Sequence, residues 1–397
     1  MNSSPTLCRY AAVTAMIVLA LAGAYYVSSR PMDFRVYYYG ARGVSDGTRP
    51  FYGPASGMGW PMHYRYPPLF LMMFSAVARL PLAWAAAIWL LLKCGVLAVL
   101  VPAMWRRFVP ADSYSAWIVP LLLAGPYVLE DFRYGNAQFF VVALTAVAFL
   151  QVESRPKWAG AALGLAISTK VWPLFFVPYL LARRKSAAAV WSLIFTAVLT
   201  LLPGVFIGFR NNLGLLHEWI RQESSIQLGK NEIWFPSQSL RGVMMRYLTQ
   251  IDYTSVPDPN YPPVNFADFS PHAVVAAWQV TAVIIYIVFL AFCRRRMGKD
   301  DWTYDALAFC LLPLLEPFTP KYALIVLLWP AIVLGGLTVS RRVRIWSYCP
   351  AVIILVQPLA SGAAAQRLLQ ALGLDFVATL MLLIVIAVGS KYGQLET

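Results

Sequence analysis

Apolar runs recur along almost the whole chain, each interrupted by a short polar or basic segment. A run of about 20 residues suffices to cross the hydrocarbon core of a bilayer. The pattern predicts full crossings near residues 10–29, 82–105, 115–130, 136–151, 187–207, 272–292, 303–315, 323–339, 345–359 and 373–390. Basic segments mark one side: Arg106-Arg107, Arg155 with Lys157, Arg183-Arg184-Lys185, Arg294-Arg295-Arg296 with Lys299, and Arg341-Arg342 with Arg344. That side is cytoplasmic by the positive-inside rule, and alternation places both termini there. Arg9 ahead of the first run and Ala22-Gly23-Ala24 near its end also fit a signal peptide, although the apolar stretch is longer than a usual signal core, which favours a retained anchor.

One stretch breaks the alternation. WAGAALGLAISTKVWPLFFVPYLLA, residues 158–182, carries positive charge at both flanks, so it is expected to enter and return on one side. Two short helices with an apex near Ser168-Thr169-Lys170 satisfy this; a single tilted helix that violates the charge rule is the alternative. Irregular backbone at membrane depth is tolerated where it is buried in protein or lines a wet cavity, so the hairpin predicts a cavity.

Two long loops then face outward, about 29–81 and 208–271, with short connections near 131–135, 316–322 and 360–372. They hold Trp60, Trp219, Trp234 and many tyrosines, and their periodicity is helical in places. Phe34, Tyr37, Tyr38 and Ala41 share one face, while Arg35, Tyr39 and Arg42 share another. Pro67-Pro68 can open a second helix that runs through Arg79 and stops at Pro81. In SLRGVMMRYL, the apolar stripe of Leu240, Val243, Met244, Tyr247 and Leu248 leaves Arg241 and Arg246 off it. These read as interfacial helices lying on the outer leaflet.

Composition sharpens the class. Hydrophobic residues make up 59% of the 397, charged residues 13%, and mean hydropathy is +0.61, which leaves no water-soluble domain of useful size. The expectation is an all-α polytopic membrane protein forming a single domain, without internal repeats. The net charge of +14 points to lipid phosphates as partners and not to nucleic acid, for which no binding module is visible. Five cysteines fall in or beside spans at spacings that suit neither a metal cluster nor disulfides.

Basic and aromatic residues with few carboxylates at an outer surface suit a lipid-phosphate sugar donor. Sugars stack on aromatic faces, and arginine or lysine can hold a phosphate as its bond to the sugar breaks. One carboxylate placed beside an acceptor hydroxyl can remove its proton. Asp33 is the candidate, at the end of the first run and the start of a helix; capping that helix is its bland reading, and the two are compatible.

From about residue 30 to residue 340 the chain resembles glycosyltransferase family 87. The resemblance rests on DFRVYYYGARGVSDGTRPFY, HYRYPPLFLMMF, GNAQFFVVAL, AGAALGLAISTKVWPLFFVPYLLARR and SQSLRGVMMRYL, in that order. It implies a GT-C fold of about 10 full transmembrane helices plus a short helical hairpin, and transfer of mannose or a related sugar from polyprenyl phosphate to a lipid-linked acceptor. The donor is a substrate, and no cofactor or metal is expected. Asp33 corresponds to the family's catalytic aspartate, Tyr66-Pro67-Pro68 to its Tyr-Pro-Pro, Lys170 and Pro173 to its Lys-x-x-Pro, and Gln238-Ser239 to part of its Asn-Gln-Ser-Leu, with Ser237 replacing the Asn. Asn136 and Gln138 exchange the amides of a Gly-Gln-x-Asn element, and Glu316, Lys321 and Tyr322 stand where members carry a histidine.

Lys170, Arg35, Arg65 and Arg241 are thus expected to bind the donor phosphate. Tyr37, His63, Tyr66, Asp131, Asn136, Gln138, Gln238, Ser239 and Lys321 are expected to contact substrate. Bland readings stand beside these: a snorkelling lysine, a solvated loop histidine, a local ion-pair group of Glu130, Asp131 and Arg133, and headgroup contacts for Arg241 and Arg246. Lys93, mid-span, has no role in this reading. The expected setting is a bacterial inner membrane, with a periplasmic active site. The rival class is a transporter or flippase of lipid-linked sugars, which usually shows repeats and midplane polar groups.

Overall fold

Paired prolines and a glycine turn set the boundaries of the segments that matter most. The computed structural model describes residues 32–59, 62–110, 114–228, 237–251, 253, 260–295, 301–337 and 341–393. The expected first crossing at 10–29, with Trp60 and Trp234, lies outside the described residues. Within them the chain is helical, with no strand.

Helix α1 (Met32–Ser45) and α2 (Pro68–Ala78) belong to the first long loop, and α3 (Leu82–Phe108) follows directly. Pro67 precedes α2 and Pro68 fills its first turn, where a missing N–H is harmless. Next come α4 (Ile118–Tyr134), α5 (Gln138–Gln151) and α6 (Pro156–Thr169). After Lys170 the chain forms a 3-10 turn over Trp172–Phe175 and then α7 (Phe176–Ala182). The remainder comprises α8 (Ser186–Leu201), α9 (Pro203–Ile207), α10 (Phe209–Leu228), α11 (Leu240–Leu248), α12 (Pro271–Arg295), α13 (Asp301–Leu315), a 3-10 segment (Lys321–Leu327) leading into α14 (Leu328–Leu337), α15 (Arg341–Leu359), α16 (Ala363–Ala371) and α17 (Leu374–Gly393).

Among the described residues, three helical stretches, Leu82–Phe108, Ser186–Ile207 and Pro271–Arg295, are long and apolar enough to cross a membrane. The pair α16 and α17, bent by 51°, supplies a fourth if counted as one span. Most other expected crossings appear as shorter apolar helices, among them Gln138–Gln151, Trp302–Leu315 and Lys321–Leu337. A single helix through 158–182 does not form: α6 stops at Thr169 and Lys170 is extended, at φ −151° and ψ 127°.

From Ala323 to Gly335 the 3-10 segment and α14 are apolar all round and buried, so they form the centre of the bundle. Trp329 stacks on Phe309 with ring centroids 5.1 Å apart and meets Phe108 edge-on at 5.0 Å. By contrast α12 exposes Val280, Val283, Ile284, Ile287 and Val288, as a lipid-facing helix does. Helix α6 packs against α8 through Gly160 and Gly164. A Cβ at Gly160 would lie 2.3 Å from Trp191 Cβ, and one at Gly164 2.7 Å from Phe195 Cβ, so only glycine permits this approach.

The amphipathic faces of α1 and α11 behave differently. In α1, Phe34, Tyr37, Tyr38 and Ala41 are buried as the spacing predicts, in an aromatic cluster with Phe70, Phe74 and Trp89. In α11 the residues expected to face headgroups, Arg241 and Arg246, are instead buried. The reason is local: Arg246 donates from Nε to the Ala371 carbonyl at 2.8 Å, at the end of α16, and from Nη1 to the Ser237 carbonyl at 2.7 Å. The Arg241 guanidinium lies over the Trp278 ring, 5.7 Å from its centroid.

Candidate active site

Helix α4 ends at Gly135 in the left-handed region, φ 66°, where its amide caps the Asp131 and Phe132 carbonyls. That glycine reverses the chain so that Asn136 and Gln138 leave one short turn side by side. Trp89 Nε1 of α3 donates to the Gly135 carbonyl at 2.9 Å and fixes the turn from behind.

The Asn136 amide has one consistent orientation. Its Oδ1 accepts the Gln138 backbone N–H at 2.8 Å and the Tyr66 hydroxyl at 3.2 Å, so Nδ2 is the atom that donates to Asp33 Oδ2, at 2.7 Å. Gln138 Oε1 accepts from Lys170 Nζ at 2.7 Å and Trp172 Nε1 at 3.1 Å. The Tyr37 and Tyr66 hydroxyls bond each other at 2.8 Å, and Tyr37 accepts the Ala137 amide at 3.3 Å. A continuous hydrogen-bonded path therefore runs from the Asp33 carboxylate through the turn to the Lys170 ammonium. That ammonium also faces the rings of Tyr66 and Tyr322, at 5.6 Å and 5.9 Å from their centroids.

These groups open into a cleft of about 820 Å³. Asp33, Tyr37, His63, Arg65, Tyr66, Asn136, Gln138 and Lys170 line it, as does Tyr322, whereas Trp278, Val283, Tyr286 and Leu312 form an apolar wall. Asp33 lies in the first turn of α1, where the helix dipole favours a negative charge. Burial nevertheless pushes its carboxyl up to about 6, with the Asn136 bond and the Lys170 charge pulling the other way. Burial similarly raises Glu316, another lining residue, to about 7 against the Lys170 charge and a bond from Thr319 Oγ1. Among the described residues, no group of three or more His, Cys, Asp and Glu is placed to hold a metal ion.

Other expected site residues lie elsewhere. Asp131 is fully buried behind the turn, paired with Lys93, while Arg133 and Glu130 form a separate 3.4 Å pair at the surface. Gln238 spends its groups on the framework: its N–H reaches the Thr319 carbonyl at 2.7 Å, Nε2 the Gln370 carbonyl at 3.0 Å, and Oε1 accepts the Phe376 amide at 3.3 Å. Ser239 caps α11, accepting the Gly242 amide at 3.2 Å. Lys321 donates to Gln357 Oε1 at 3.0 Å, and neither it, Arg241 nor Arg35 lines the cleft.

The cleft also contains residues that the sequence reading passed over: Tyr134, Trp172, Glu223 and Trp278. Glu223 of α10 grips Arg65 as a fork, at 2.8 Å and 3.2 Å. Its partner is 158 residues away, so no local pattern signals the pair. Trp172 had a signal, since it lies two residues after Lys170 in the turn that the charge pattern picked out.

The sequence profile of glycosyltransferase family 87 matches residues 64–317, more than half of the chain. The chain belongs to glycosyltransferase family 87. Within this family it is similar to a Mycobacterium tuberculosis protein named polyprenol-phosphate-mannose-dependent alpha-(1-2)-phosphatidylinositol mannoside mannosyltransferase. Identity is 32% over 201 residues, covering 46% of each chain. A Mycolicibacterium smegmatis protein of the same name is 29% identical over 234 residues, covering 53% of each. This family 87 chain spans about half the length of the curated relatives it matches.

Proposed function

We propose that the protein is an integral-membrane glycosyltransferase that moves mannose, or a related sugar, from polyprenyl phosphate to a lipid-linked acceptor, with Asp33 as general base. The observation that carries this reading is the hydrogen-bonded path that places a carboxylate and an ammonium at two points of one cleft. Membership of family 87 and the names of the two mycobacterial relatives support it.

The chemistry follows from that spacing of charge. Asp33 takes the proton of the acceptor hydroxyl as that oxygen attacks the anomeric carbon. The bond from that carbon to the phosphate oxygen breaks on the opposite face, inverting the centre, and the electron pair leaves with polyprenyl phosphate. Lys170, with Arg65 beside it, stabilises the charge gathering on the phosphate. Asn136 occupies Asp33 Oδ2, which directs the remaining oxygen to the acceptor. Aromatic side chains of the cleft hold the sugar ring.

The reading extends to a GT-C fold of about 10 crossings in a bacterial inner membrane, both termini cytoplasmic and the cleft periplasmic. The abundance of apolar helices and the cluster of polar groups in one cleft support it. Purified protein in detergent, given radiolabelled polyprenyl-phosphate mannose and phosphatidylinositol mannosides, is expected to release polyprenyl phosphate and label the acceptor; Asp33→Asn is expected not to. Protein that binds the donor yet releases no polyprenyl phosphate with any acceptor lipid would return the case to the transporter class. Cysteines placed at residues 46–50 and labelled with an impermeant reagent test the sidedness.

A further inference from the structure

Helices α3 and α4 hold a buried ion pair that the reaction above does not use. Lys93 Nζ donates to Asp131 Oδ1 at 2.5 Å and to the Asp131 carbonyl at 3.1 Å, and both side chains are fully buried. Taking two charges out of water costs several kcal/mol per ion, and apolar replacements of buried pairs are often neutral or stabilising. Stability therefore does not account for charges in an otherwise apolar helix, where ionisable groups are functional candidates.

The surroundings of the pair supply the account. The Asp131 carbonyl held by Lys93 also accepts the amides of Gly135 and, at 3.2 Å, Asn136. Trp89, one turn from Lys93 on α3, holds the Gly135 carbonyl. Helix α3 thus holds the entry to the turn whose side-chain amides contact Asp33 and Lys170.

We propose that Lys93 and Asp131 are positioning residues for the transfer: they fix the Gly135–Gln138 turn, and their opposed charges set the field in which Asp33 exchanges its proton. This rests on Asp33 acting as the base. Titratable groups facing Asp33 are Lys170 from the turn after α6, Tyr66 ahead of α2, Tyr37 of α1, Tyr134 of α4 and Tyr322 of the 3-10 segment, with Asp131 and Lys93 behind. The Asp131 charge holds the Asp33 carboxyl up, whereas the Lys93 charge draws it down. Removing either partner alone therefore moves Asp33 in opposite directions, which loss of a purely mechanical contact would not do.

The test measures transfer from radiolabelled polyprenyl-phosphate mannose to phosphatidylinositol mannoside by the purified full chain, between about pH 5 and pH 8. Lys93→Met is expected to shift the acidic limb of the profile to higher pH, and Asp131→Asn to lower pH. The apolar double variant K93M/D131L is expected to fold, with unchanged elution on size exclusion, and to transfer at least about tenfold more slowly, as loosened positioning predicts. A double variant with the original rate and profile overturns the proposal. So do two single variants that shift the limb in the same direction or not at all, and so does a double variant that cannot fold, which assigns the pair to stability alone. Asp33→Asn in the same assay separates the two readings: its retaining full activity removes the base assignment itself, whatever the Lys93 variants do.

Discussion

Two short segments bring polar side chains out of helix ends: Gly135–Gln138, and Ser237–Ser239 ahead of α11. Both contain residues that the sequence reading placed on the substrate. In the first, each side-chain amide bonds a charged side chain at the edge of the cleft, Asn136 to Asp33 and Gln138 to Lys170. In the second, the partners are overwhelmingly carbonyls and amides of the framework: Gln238 ties Thr319, Gln370 and Phe376 together, while Ser237 Oγ accepts the Thr319 amide at 2.9 Å. Similar polar chemistry does opposite things because its partners differ. An amide bonded to charged groups beside a cavity can orient those groups toward a ligand, whereas one consumed by backbone joins elements.

The contrast can be broken by substitution, and the largest effects belong to the first segment. Asp33→Asn is expected to lower the transfer rate by about 10²–10⁴-fold, the usual worth of a general base, with little change in folding. Lys170→Met should cost about 10²–10³-fold in rate, as removal of an electrostatic stabiliser of the leaving group does; a rate within threefold of the original would separate Lys170 from the phosphate. Asn136→Ala removes a bond that favours ionised Asp33, so its carboxyl rises above about 6 and the acidic limb of the rate profile moves to higher pH. In the unaltered protein that limb is expected near pH 6, with rate falling as pH drops through it, because a base must be ionised to accept a proton.

Gln238→Ala should do the reverse of Asp33→Asn. Transfer by the folded fraction stays near the original, but stability falls by about 1–3 kcal/mol, because buried partners lose their bonds. A thermal melt read beside the rate decides this; a rate collapse at unchanged melting temperature would merge the two segments into one site.

Much of the fold could be read from the residues. Pro67-Pro68, the α1 faces and the break at Lys170 depend on local backbone and periodicity, so they were legible where they occur. Hydropathy marked the apolar helices themselves, three of them among the described residues long enough to cross a membrane, but it does not see where a helix ends, as α6 does at Thr169. Within the site, Asp33 and Lys170 were marked by charge in apolar surroundings. Arg246 was misjudged because a helical wheel assigns arginine to the wet face unless carbonyls at the end of α16 await it. The Arg65–Glu223 and Lys93–Asp131 pairs were invisible for another reason: each joins elements far apart in the chain.

Glycines 160 and 164 carry a consequence beyond packing. With bare backbone of α6 lying on α8 and no cushion of side chains between them, the helix ending one residue before Lys170 has little freedom to slide or tilt. The height of the ammonium relative to Asp33 is therefore set more than a helical turn away, in a dry seam. A single methyl at either glycine would act as a shim beneath the Lys170 ammonium without touching it.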